Sequence, residues 1–162
     1  MNAVIGIYES NEKAVAALSE LQKSGYPTAQ LSIIAKASLV DNHIHIKTND
    51  SIEKAEVSVG VVSGTILGIL LGVGIFAIPG LGFLFGAGAV VGAFAGLDIG
   101  LIAGGLTAIF TSMGIDAINA AKYDKYLNDG KFIIFAQGDE KQVEQAQKVL
   151  HTQGLSFELG VS

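Results

Sequence analysis

The chain of 162 residues has no cysteine, no tryptophan and no arginine, and only two prolines. Two of these shortages remove a class of function. Without cysteine there is no disulfide framework, no thiolate metal site and no thiol redox couple. Without arginine, and with a net charge of −5, the chain lacks the concentrated basic field that grips phosphates, so no nucleic-acid partner is expected. The opening MNAVIGIYES has no basic segment ahead of its apolar residues and turns polar at once, so it does not read as a signal peptide. The most informative shortage is of charge within one stretch. From Val57 to Leu97 there is no charged residue, and Asp98 stands alone before Asp116.

Glycine and aliphatic residues fill that stretch. Gly60, Gly64, Gly68 and Gly72 recur at intervals of four, as do Gly88, Gly92, Gly96, Gly100 and Gly104. On a helix this spacing keeps small residues along one slowly drifting face, where a neighbouring backbone packs closely. The series therefore predicts helix-packing glycines in a hydrophobic helical insert over residues 57–115. A span needs roughly 20 residues. Val57 to Ile78 supplies one and Phe83 to Thr107 a second, with Pro79, Gly80 and Gly82 as the hairpin turn. Asp98 becomes an intramembrane acid, which is either functional or seated at the interface near the exit side.

The flanks read differently. Residues 1–56 hold five Lys and seven Asp or Glu, and residues 116–162 hold the same. In the first flank, Ala3–Tyr8 predicts a strand. A helix capped by Ser10 or Asn11 follows to about Ser24, burying Ala14, Ala17, Leu18 and Leu21, and Leu31–Ala35 predicts a second strand. His43, Ile44, His45, Ile46 and Lys47 alternate as another strand, with Asp41 and Asn42 as a hairpin turn. The second flank repeats the order: strand Phe132–Ala136, a helix opening at Asp139–Lys141, and strand Leu155–Leu159. Asn11-Glu12-Lys13-Ala14-Val15 matches Asp139-Glu140-Lys141-Gln142-Val143. Two βαβ halves of this size predict an α+β, ferredoxin-like split βαβ sandwich, formed by 1–56 with 116–162 and interrupted by the glycine-rich apolar helical hairpin. Neither half has enough apolar surface to stand alone.

Because strands two and three of such a sheet are antiparallel neighbours, the insert leaves and returns on one side. It crosses a bilayer an even number of times, or dips in without crossing. Lys47 and Lys54 before it and Lys122 and Lys125 after it place both flanks on the cytoplasmic side. Between insert and third strand, Asp116–Leu127 predicts a helix whose Tyr123 and Tyr126 either mark a membrane interface or pack on the sheet.

Catalytic chemistry finds little material. His43 and His45 share a strand face without a third metal ligand, so a solvated face is the expectation and no metal is assigned. No phosphate-binding G-x-x-x-x-G-K-[ST] occurs, and Gly86–Gly92 lacks the G-x-G-x-x-G spacing. Ser63, Thr65, Thr107 and Thr111 have no neighbouring base, and hydrogen bonds within or between helices suit them better. No cofactor is expected.

The segments NEKAVAALSELQKSGYP, AIPGLG, GIDAINAAKYDKYLNDG and DEKQVEQAQKVLHTQG together resemble the bacterial general stress protein (17M-type) domain, and the likeness covers nearly the whole chain. The resemblance implies a stress-linked, membrane-associated bacterial protein without known chemistry and supplies no active-site residues; Asp98 departs from it. The expected function is a non-enzymatic membrane protein that self-assembles through glycine-zipper helices and organises or protects the bilayer, with the lipid bilayer and its own copies as partners. Two alternatives stay open: a soluble or shell-like homo-oligomer burying the insert between subunits, and a small-ligand sensor coupled to a membrane hairpin.

Overall fold

The computed structural model describes residues 2–40, 73–78, 82–88, 106–108, 110–111, 114–153 and 158–161. Strand β1 (Asn2–Tyr8) leads into α1 (Asn11–Lys23), whose first turn is capped by Ser10: its Oγ accepts from the Lys13 amide at 3.3 Å. The helix stops at Gly25, whose φ of +83° is open to glycine at no steric cost. Strand β2 (Leu31–Lys36) follows and runs into a short helical turn, α2 (Ala37–Val40). Strands β3 (Val73–Ile78) and β4 (Gly82–Gly88) come next, then helical residues at 106–108 and 110–111. The second flank supplies α3 (Ala117–Asn128), β5 (Phe132–Gly138), α4 (Glu140–Gln153) and β6 (Glu158–Val161). At the start of α4, the Asp139 carboxylate accepts from the Gln142 amide and the Gln142 side chain accepts from the Asp139 amide, both at 2.9 Å. This is a reciprocal cap that satisfies two otherwise orphaned donors.

The result is a mixed α+β structure around one six-stranded sheet of order β3-β4-β2-β5-β1-β6, antiparallel at every pairing. Strands from both flanks lie side by side: β5 sits between β2 and β1, in registers such as Ile33↔Ile134 and Ile5↔Phe135. Side chains alternate between two cores. Val4, Tyr8, Leu31, Ile33, Ile134 and Ala136 face α1 and α4, and meet Leu18, Leu21, Ala146 and Leu150. Ile5, Ile7, Ile34, Ile133 and Phe135 face the other way, against Leu106, Phe110, Ile115, Ala120, Tyr123 and Leu127. An antiparallel sheet with both faces covered explains strands that are apolar at nearly every position rather than at alternate ones. The two tyrosines in question therefore pack on the sheet: Tyr123 is buried and Tyr126 lies partly buried against the same core.

The insert departs from the expected helices. Residues 73–78 and 83–88, expected within the spanning segments Val57–Ile78 and Phe83–Thr107 on apolar length, are strands, and they extend the sheet beyond β2 through Ile34↔Gly86 and Ile75↔Phe85. Val73, Ile75, Phe76, Ile78, Phe83 and Phe85 are β-branched or aromatic, the types that suit a pleated surface. Pairing with β2 also occupies backbone groups that an edge would leave open. The two strands pair antiparallel, with Ile78 opposite Gly82. Among the described residues the sheet thus has six strands, two of them from the insert, which belongs to it at these positions.

Candidate functional site

Gly60, Gly64, Gly68, Gly72, Gly92, Gly96, Gly100 and Gly104 lie outside the described residues, as do Asp98, Pro79, Gly80, His43 and His45. Two of the expected site residues are placed. Gly82 opens β4, and Gly88 ends it. Gly88 does not pack helix against helix: its φ is +91°, and a Cβ there would strike the Leu31 carbonyl oxygen and come within 2.8 Å of the Ser32 Cα. Glycine is required here because β4 passes closely over the β2 backbone. Thr111 does what was expected of the hydroxyls, donating from Oγ1 to the carbonyl oxygens of Thr107 and Ala108, both at 3.0 Å.

The end of the insert is tied firmly to the sheet. Phe110 is fully buried, 6.0 Å from the Tyr123 ring at 82° and 6.0 Å from the Phe135 ring at 34°. Asp116 then caps α3. One carboxylate oxygen accepts from the amides of Ile118 and Asn119, and these bonds with the Asn119 side chain hold its carboxyl below the usual range. At the other end of α3 the Lys36 ammonium donates to the Asn128 carbonyl oxygen at 2.8 Å and to its Oδ1 at 3.3 Å, a cation placed at a helix C-terminus. That link joins β2 to α3 across the whole insert.

Several polar groups of the described body have defined surroundings. The Tyr26 hydroxyl donates to the Gln137 carbonyl oxygen at 2.7 Å, and burial pushes its pKa up to about 12 with help from the nearby Asp139 charge. Tyr8 is fully buried with its ring folded over Gly6, where a Cβ would meet the ring at 2.7 Å, and burial raises its pKa. Asp124, half-buried on α3, has one carboxylate oxygen without a hydrogen-bond partner, and desolvation raises its pKa. Glu9 sits in solvent between Lys13 at 3.2 Å and Lys131 at 3.7 Å; the Lys13 hydrogen bond is the main reason its pKa is lowered. A shallow, open depression of about 430 Å³ runs along the exposed side of α4, lined by Glu144, Gln147, Lys148 and His151. Among the described residues no group of three or more acidic or His side chains could hold a metal ion. Also among the described residues, no helix is long and apolar enough to cross a membrane.

The remaining candidate is an interface: the uncharged hairpin β3–β4 at the sheet margin, with the apolar segments 57–72 and 89–105 that it joins. Sequence reasoning located the apolar residues but missed that the hairpin is a strand pair. It also missed the Lys36–Asn128 link, because a contact between residues so distant in the chain leaves no local pattern. Compared with known proteins, the chain matches no family model, no curated protein and no solved structure.

Proposed function

We propose that this protein is a non-enzymatic, membrane-associated module that self-assembles and organises or protects the bilayer, in the manner its resemblance to bacterial stress proteins implies. The observation that carries this reading is the mounting of an uncharged stretch on a well-packed sheet. Strands from both flanks make the body, and β3–β4 and Phe110 hold the stretch to it at two places. The neighbouring order β6-β1-β5-β2, with α1 and α4 together on one face, supports a ferredoxin-like framework.

The strand hairpin changes how lipid is reached. Segments 57–72 and 89–105 each adjoin a strand of the sheet, and the first is shorter than the roughly 20 residues a crossing helix needs. Shallow insertion of these segments, with both flanks on the cytoplasmic side, fits better than a hairpin that spans. Flotation of the full chain with phospholipid vesicles tests the proposal. Protein that rises with the vesicles and stays with them in high salt is the expected result; protein that stays at the bottom of the gradient with neutral and anionic vesicles alike rules it out.

One observation favours the second reading, a homo-oligomer that buries the insert between subunits. The outermost strand, β3, has an apolar sequence and no strand beyond it among the described residues.

A further inference from the structure

The two margins of the sheet differ. An edge strand presents a row of unpaired N–H and C=O groups, and proteins blunt such edges with charge, proline or short length. At one margin β6 is so treated: it has four residues and includes Glu158. At the other, β3 has six residues, VGIFAI, with no charge and no proline. Among the described residues nothing pairs with its outer side.

We propose that β3 is a dimerisation edge, pairing antiparallel with β3 of a second copy to make one sheet continuous across both. This deepens the self-assembly part of the proposed function and rests on it, but does not require a bilayer. Symmetry selects the occupant. Joining β3 to β6 would be head-to-tail and would need many copies, in a ring or a filament, whereas β3 on β3 closes with two copies about a two-fold axis. The short, charged β6 also makes the poorer partner.

The ladder restricts the register. Along a strand the N–H and C=O of successive residues point to alternate sides, and residues opposed in an antiparallel pair must both point inward or both outward. Two positions related by the two-fold therefore differ by an even number. The axis passes beside a residue and not between two. Greatest overlap puts it at Ile75, pairing Val73 with Ala77, or at Phe76, pairing Gly74 with Ile78.

The chain has no cysteine, which makes the test direct. Light scattering on the purified full chain should give a dimer, and Ile75→Lys should give a monomer whose thermal melt stays cooperative. Single cysteines at Ile75 and Phe76 provide a measurement independent of that variant. On mild oxidation one of them should cross-link two copies, while Leu159→Cys in β6 should not. A monomeric wild-type chain, an oligomer unaffected by Ile75→Lys, or cross-linking as ready at Leu159 as in β3 each overturns the proposal. Residues 57–72 folding back along β3 would register as the first of these outcomes. Vesicle flotation of Ile75→Lys separates the two claims: a monomer that floats supports both, and a dimeric wild-type chain that does not float keeps the edge while removing the bilayer.

Discussion

At the scale of single residues, the helix stripes were legible and the long-range polar contacts were not. Ala14, Ala17, Leu18 and Leu21 all reach the core, as their spacing predicts, because an i, i+3, i+4, i+7 pattern needs only local geometry. The Tyr26–Gln137 hydrogen bond joins residues from opposite flanks and has no local signature. It nevertheless gives a measurable expectation. The folded state holds the Tyr26 proton more tightly than the unfolded chain does, so this contribution is fully present below the ordinary tyrosine value of 10 and is lost as pH rises toward about 12. Tyr26→Phe should cost about 0.5–1.5 kcal/mol at neutral pH through the lost bond. Denaturant melts from pH 8 upward should show that difference shrinking across the same window.

At the scale of elements, a glycine period of four does not by itself separate helix from strand. An interval of four residues is close to one helical turn, but it is also an even number, so it marks one face of a strand equally well. Gly82, Gly86 and Gly88 fall on such positions in β4. Apolar content cannot break the tie within a stretch that lacks charge throughout. The β-branched and aromatic residues that crowd 73–85 were the better signal, since their preference does not depend on period. The insert's C-terminal attachment is equally an element-scale matter. Phe110 fills the space between α3 and β5, so Phe110→Ala should destabilise the fold by about 3–5 kcal/mol and lower the melting temperature, although the residue lies within the apolar insert. A scanning-calorimetry melt that does not change would mean that this contact contributes nothing to the body of the protein.

At the scale of the whole molecule, the matching segments Asn11–Val15 and Asp139–Val143 fall at the starts of α1 and α4. They share one face of the sheet, joined where the Gln145 side chain donates to the Ser24 carbonyl oxygen at 2.8 Å. The second covered face was not legible, because its lid is assembled from the end of the insert and α3, elements with no repeat of their own. That lid and the β3–β4 hairpin make the uncharged stretch part of the folded body at both places. The claim on which the rest depends is that the middle of this stretch stays beside β2. The most direct test uses single cysteines at Leu81, between β3 and β4 in the sequence, and at Lys23, with membrane-bound protein and an impermeant thiol reagent. Both should react with reagent added on the face where the protein bound, and neither with reagent trapped on the far side. Reaction of Leu81→Cys only from the far side would mean that the hairpin crosses the bilayer, and would contradict that claim.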